Sequence, residues 1–387
     1  MKKNRVARLD RLQVVWSVGI IIISVFSAWA VLRLVRVLPK ESFEQKIIGS
    51  ITRQGDWFVR NQTEAGDFVY ERYAATGEVK EGNNIVRQAG ALYGLAQLYS
   101  YTKDPAIAQT LEKGFGYFRT LTATPSAETN AITYNEETQT NTTALLVLAL
   151  VEYLEADAQH KTTENLEYLV RLSNYLVSTQ EASGAYINEY VPKPVESDYN
   201  NGETMYALIR SYNVTQKEPY LISVKRMAAY AIDHYGTQGF NSSFFSWGMA
   251  GFAHLYVIDA NEAYWEFLKG YADKYMGARG SAYEQYLAHT SEDVITPGAS
   301  VFLEGVDHIA WIAKDKDIML HRTLTRHVQN MLNFLLMYEL DSPNGKYASG
   351  NDLVRGAVCS QVGCETTRID FLQHNMSASL LYLRLLR

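Results

Sequence analysis

Apolar positions along the chain fall into two alternating kinds of segment. In one kind, apolar residues recur every three or four positions with polar residues between them, the pattern of a helix that buries a single stripe. Residues 41–60, 105–120, 163–179, 219–235, 261–276 and 318–339 read this way. The other kind is apolar almost throughout and opens on polar residues: 84–101, 141–156, 201–214, 245–258, 298–314 and 370–386. A helix that is apolar on all sides must be buried, while its amphipathic neighbour faces water. Six such pairs close most economically as an inner ring inside an outer ring, so the pattern predicts an all-α (α/α)6 toroid over residues 41–387.

In a toroid of this kind the inner helices run parallel, and their polar N-terminal ends form the floor of a cleft walled by loops. The six starts are Asn84-Ile-Val-Arg87-Gln88, Asn141-Thr-Thr, Tyr199-Asn-Asn-Gly-Glu203, Phe245-Ser-Trp247, Ser300-Val-Phe-Leu-Glu304-Gly-Val-Asp307-His308 and Arg368-Ile-Asp370-Phe-Leu-Gln373-His374. Alternating, glycine-bounded stretches at 66–73 and 184–190 predict short strands or extended segments just before the first and third starts, and 345–350 occupies the same place before the sixth. Helix N-termini add positive potential to this face, which favours acidic or phosphate-bearing ligands.

Ahead of the toroid, residues 14–32 carry no charge and are long enough to cross a bilayer core of about 30 Å. Lys2, Lys3, Arg5, Arg8 and Arg11 precede this run, against Arg33, Arg36 and Lys40 after it. The positive-inside rule then predicts a cytoplasmic tail (1–13), one transmembrane anchor (14–38) in the inner membrane and a toroid outside the cytoplasm, in the periplasm. Ala28-Trp29-Ala30 resembles a signal-peptidase site, but the apolar residues and arginines beyond it favour an uncleaved anchor. In that compartment Cys359 and Cys364, five positions apart in a polar loop, either pair as a local disulfide or remain two thiols. A metal site would need more ligands than the nearby His374, so neither metal nor cofactor is expected.

Composition narrows the function. A net charge of −6 leaves no basic footprint for nucleic acid. The 27 tyrosines suit a sugar cleft, each offering a flat apolar face and a hydroxyl, although tyrosine serves helix packing equally well. No HExxH, Walker A, GxGxxG or GxSxG sequence is present.

Three helix starts present acids suited to chemistry. Breaking a glycosidic bond requires one carboxylic acid to protonate the leaving oxygen and a carboxylate to activate water or attack. Glu203, Asp307 and Asp370 are the candidates, and Glu304 lies beside Asp307 and His308. An acid in a first helical turn also stabilises the helix by about 0.3–1 kcal/mol with no further role. Asn84, Arg87, Tyr199, Trp247, Glu304, His308, Arg368 and His374 form the expected substrate-binding set. Arg87 either grips an anionic group of the substrate or holds an acid from a neighbouring helix. Trp247 is either a stacking platform or core. His160, His234, His289, His321 and His327 have no motif around them and read as surface residues.

The layout of six starts, the Gly-x-Tyr segments before them and the C-terminal Arg368-Ile-Asp370-Phe-Leu-Gln373-His374 resemble the six-hairpin glycosidase superfamily. Its members include unsaturated glucuronyl hydrolases and N-acylglucosamine 2-epimerases. The resemblance implies catalytic acids at inner-helix starts, as at Glu203, Asp307 and Asp370, while only His308 and His374 fall where the epimerases keep histidines. The expectation is a membrane-anchored protein that hydrolyses a glycosidic bond in an envelope or exported polysaccharide. Two alternatives stand beside it: a non-catalytic toroid that binds polysaccharide or a partner within an envelope assembly, and a sugar epimerase or lyase using His308 or His374 as acid or base.

Overall fold

The computed structural model describes residues 41–188, 195–277, 298–361 and 363–387, together with 16, 24 and 27. The expected tail and anchor otherwise lie outside the described residues; among those described, no helix is long and apolar enough to cross a membrane. The chain divides into compact units 1–46 and 47–387, and the architecture below is that of the second.

Among the described residues, twelve α-helices alternate between outer and inner positions, as the apolar pattern requires. The outer set is α1 (Phe43–Asn61), α3 (Pro105–Thr120), α5 (Thr163–Ser178), α7 (Glu218–His234), α9 (Glu262–Gly277) and α11 (Ile318–Leu335). The inner set is α2 (Ile85–Thr102), α4 (Thr140–Ala156), α6 (Asp198–Thr215), α8 (Ser242–Asp259), α10 (Ala299–Lys316) and α12 (Ile369–Leu385). The two sets bury themselves differently. α4 buries every residue from Thr142 to Leu154, whereas α3 buries only the stripe Ile107, Thr110, Leu111, Gly114, Phe115 and Phe118. Each fully buried Leu, Ile or Phe contributes about 1.5–3 kcal/mol, so the inner ring is the main source of stability.

The inner helices pack in the cycle α2, α4, α6, α8, α10, α12 and back to α2, which closes the ring. They are parallel and in register. Gly202 near the start of α6 lies against Trp247 and Gly248 near the start of α8, and Gly251 one turn on lies against Met205 and Tyr206. A Cβ at Gly202 would stand 2.8 Å from the Gly248 nitrogen, so the missing side chain is what allows these helices to touch.

Short strands ring the N-terminal face. β1 (Glu71–Tyr73) pairs with β2 (Val79–Lys80) and with β8 (Thr366–Arg368), joining the first hairpin to the last. β3 (Thr122–Ser126), β4 (Thr129–Tyr134) and β5 (Glu137–Thr138) form a second sheet, and β6 (Ile187–Asn188) pairs with β7 (Val195–Glu196). The extended segments expected at 66–73 and 184–190 are therefore present as far as they are described. Before the sixth start the strand is instead 366–368, because residues 341–349 fold into a turn in which Asp341 accepts from the Ser349 backbone N–H and hydroxyl. Cys359 and Cys364 form a disulfide in the loop that leads into β8.

The first and third hairpins carry the same local device. Gln62 donates to the Gly66 and Thr110 carbonyls (2.9 and 2.8 Å), and Gln180 donates to the Gly184 and Ser223 carbonyls (2.8 Å each). Both glycines have φ near +105°, at 106° and 103°, and each lies against the backbone of the following outer helix. A Cβ at Gly184 would stand 2.6 Å from the Arg226 carbonyl oxygen. Two penalties then coincide, a positive φ and a backbone clash. We predict that Gly184→Ala lowers the unfolding free energy by about 1–3 kcal/mol. Gly239→Ala, at a position with nothing within 4 Å, should change it by less than ~0.5 kcal/mol. Equal denaturation midpoints for the two variants would contradict this account.

Candidate active site at the inner-helix N-termini

The start of α12 lies beside the start of α2 because Gly90 and Gly94 leave room for it; a Cβ at Gly94 would be 3.0 Å from Gln373 Cγ. This contact assembles a polar cluster. Arg368 donates from Nε (2.7 Å) and Nη2 (2.8 Å) to the two Asp370 oxygens. Arg87 Nε lies 3.1 Å from Asp370 Oδ2, and its Nη1 donates to the Tyr70 hydroxyl. Two guanidiniums thus share one carboxylate, and Asn84 caps α2 by accepting from the Arg87 backbone N–H at 3.1 Å.

One turn deeper, Glu304 of α10 faces His374 of α12. His374 Nδ1 is 2.9 Å from Glu304 Oε2, and Gln373 Nε2 donates to the other oxygen at 3.3 Å. A carboxylate can only accept, so Nδ1 carries the proton, and Nε2 has no hydrogen-bond partner among the described residues. Burial alone would lower the His374 pKa; the adjacent Glu304 carboxylate outweighs it and raises the group above its ordinary value. The His374 side chain remains 17% exposed. The Trp247 ring stands 6.2 Å from it, and Tyr93 lies 5.9 Å beyond the tryptophan. Trp247 itself is buried, so it is a wall of the site rather than an open platform.

The other expected residues are placed as follows. Glu203 is buried near the start of α6, and its Oε2 has no hydrogen-bond partner among the described residues. Burial raises its pKa well above the ordinary value. Tyr199 is exposed on the rim. Asp307 and His308 do not join the cluster. They follow Glu304 by three and four positions and so lie about one turn further along α10, where they line a cavity with His254, Arg210 and Arg384. Of the histidines read as surface residues, His160 and His327 are buried, bonded to the Tyr99 and Tyr275 hydroxyls at 3.0 Å each; His289 lies outside the described residues.

The polar core beneath the cluster was missed in the sequence. Arg210 donates to Glu152 at 2.7 Å and to Glu155, and Arg384 reaches Glu152 at 3.3 Å. Burial would raise Glu152, but the two guanidiniums override it and hold its pKa at about 2. Two glutamates three positions apart, Glu152 and Glu155, inside the otherwise apolar run of α4, and a lone arginine near the end of α12, were the available signals.

With this geometry established, comparison with known proteins identifies the fold. No protein-family model matches the sequence, and no curated protein does. Solved structures do match. A D-mannose isomerase superposes with a TM-score of 0.64 at 14% identity, covering 87% of this chain and 97% of that one. A family 76 α-1,6-mannanase from Salegentibacter sp. gives 0.63 at 13%, covering 89% and 100%. A cellobiose 2-epimerase from Spirochaeta thermophila gives 0.63 at 11%, covering 90% and 98%. The chain therefore has the six-hairpin glycosidase-like (α/α)6 toroid fold.

The state of Glu203 generates a test. Its raised pKa means that the folded protein binds more protons than the unfolded chain above the ordinary glutamate pKa of about 4.3, so this residue costs stability as pH rises. Glu203→Gln removes that titration. Its melting temperature should equal or exceed the wild-type value at pH 8, with the difference shrinking towards pH 4. A variant that melts lower than wild type by the same margin at both pH values would contradict the assignment.

Proposed function

We propose that the helix-start cluster carries out proton transfer on a sugar, and specifically the interconversion of an aldose and a ketose. The observation that carries this reading is the Glu304–His374 contact. It presents an oriented imidazole, with Nε2 unpartnered among the described residues, beside cationic side chains and an aromatic wall. In the proposed step His374 Nε2 removes the proton on C2 of the open-chain aldose. The electron pair forms the C1–C2 double bond of an enediolate, and negative charge collects on O1, where Arg87 neutralises it. The O2 proton then passes to O1, and return of the carbon-derived proton from the imidazolium to C1 leaves the carbonyl at C2, giving the ketose. The proton leaves and returns on one face, so a single base suffices, whereas inversion at C2 by a two-base route would need a second group opposite. Glu304 positions the imidazole. Arg368, Asn84 and Tyr199 are assigned to the sugar hydroxyls, and Asp370 to holding the two arginines.

Hydrolysis, the expectation from sequence, is the second reading. Glu203 favours it, because a buried carboxyl kept protonated is what a general acid requires. Against it, both oxygens of Asp370 are taken by arginines and Asp307 lies in a different cavity. The Salegentibacter mannanase was also solved as an inactive variant, with two consecutive aspartates replaced, in complex with α-1,6-mannotetrose; the present chain contains no two consecutive aspartates.

We further place the toroid outside the cytoplasm, held by residues 14–38 beside envelope polysaccharide machinery. The uncharged run, the basic residues preceding it and the disulfide support this placement. The full chain should sediment with membranes and resist extraction at high pH, and a chain lacking residues 1–40 should not; equal partitioning of the two would overturn the anchor.

For the reaction, the detergent-solubilised full chain is incubated in D2O with D-mannose, D-glucose and D-lyxose and followed by proton NMR. The expected outcome is ketose formation with deuterium entering at the exchanged carbon, and a loss of about 10²–10⁴-fold in His374→Ala. Release of reducing ends from α-mannan, abolished by Glu203→Gln and unaffected by His374→Ala, would replace this reading with hydrolysis. No turnover in either assay would leave the non-catalytic binding toroid.

A further inference from the structure

The inner barrel has a second cavity, away from the helix starts. It has a volume of about 350 Å³ and is lined by Arg210, His254, Asp307, His308, Trp311 and Arg384, with Leu381 and Leu385 along one side. Arg210, His254, Trp311 and Arg384 come from the C-terminal halves of their helices, and Asp307 and His308 from the middle of α10. None of Arg87, Glu203, Asp370 or His374 lines it.

Its charges cancel. The guanidiniums of Arg210 and Arg384 face the carboxylates of Glu152 and Glu155. Burial keeps both histidines neutral, with His308 pushed down to about 4. His308 Nδ1 donates to the Glu304 carbonyl at 2.7 Å, which leaves its Nε2 as an acceptor. An ionic ligand would therefore meet a site already neutralised, with a repelling group of its own sign nearby.

Asp307 is the anomaly. It is 1% exposed, and neither oxygen has a hydrogen-bond partner among the described residues. Leaving a buried polar group unpaired costs about 1–3 kcal/mol. Burial holds the group in its neutral acid form, so it offers one donor and one acceptor side by side. The complement of that pair is a hydroxyl group, or two adjacent ones. Trp311, 37% exposed, stands at the same cavity with its ring 5.1 Å from that of His254. An aromatic face with two leucines nearby suits the C–H face of a sugar ring. The volume falls at the lower end of the ~300–1,000 Å³ typical of small-molecule sites.

We propose that this cavity binds a neutral polyhydroxylated molecule of monosaccharide size, with Asp307 engaging two adjacent hydroxyls, His308 Nε2 accepting from a third and Trp311 covering the ring. The site is separate from the helix-start cluster and does not depend on which reaction occurs there.

The test uses the detergent-solubilised full chain with myo-inositol, methyl α-D-glucopyranoside, methyl α-D-galactopyranoside and glycerol, none of which opens to an aldose that the helix-start site could turn over. Binding is measured by calorimetry and saturation-transfer NMR. At least one of these should bind saturably to wild type. Trp311→Ala and Asp307→Leu should each weaken binding by tenfold or more, and Asp307→Leu should melt no lower than wild type, since it removes an unpaired buried polar group. His374→Ala, altered only at the helix starts, should bind as wild type does; this arm separates failure here from failure of the isomerase assignment. The proposal is overturned if no probe binds, if binding survives both cavity substitutions, or if His374→Ala abolishes it. Should Asp307→Leu fail to fold, Trp311→Ala alone decides the matter.

Discussion

Six buried helices packed in parallel leave their unpaired backbone N–H groups at one end of the ring and their unpaired carbonyls at the other. Both ends must therefore be polar while the middle stays apolar, and the positive dipole ends converge on one face. The inner ring tolerates this because glycines such as Gly94 and Gly202 let neighbouring helices touch. The arrangement also explains why ionisable side chains lie so deep. Glu152, Arg210 and Arg384 sit among apolar neighbours from three different helices, and burial of that kind persists only when each charge finds a partner.

The same geometry sorts the ionisable groups by depth. At the outermost level Asp370 is divided between Arg87 and Arg368. One turn in, Glu304 and His374 form a pair, with the second imidazole nitrogen unpartnered among the described residues. Deeper still, Asp307 has no partner among the described residues. Each level offers different chemistry: a fixed charge pair, an acid–base couple and a neutral hydrogen-bonding group. The couple is the one suited to moving a proton to and from carbon.

Much of the fold was legible because burial on all sides leaves a simple trace in sequence. Runs such as 141–156 and 245–258 have no polar face, and their helices begin and end within a few residues of the pattern. The glycine devices at Gly66 and Gly184 showed as a repeated syntax. Contacts between distant segments were not legible. Nothing local in Arg368-Ile-Asp370 reveals that Arg87 also reaches Asp370, or that His374 meets Glu304 and not an acid on its own helix. Asp307 looked equivalent to Glu304 because an offset of three residues keeps the same helix face; only depth within the barrel separates them. His160 and His327 passed as surface residues because the tyrosines that bury them, Tyr99 and Tyr275, come from other helices.

The most direct measurement is the NMR titration of the His374 imidazole in wild type and in Glu304→Gln. If the carboxylate polarises this ring, its pKa lies above the ordinary 6.5 in wild type and falls in the variant, where burial acts alone. A value at or below 6.5 that does not respond to Glu304→Gln would contradict the account, because no oriented imidazole would then stand at the helix starts.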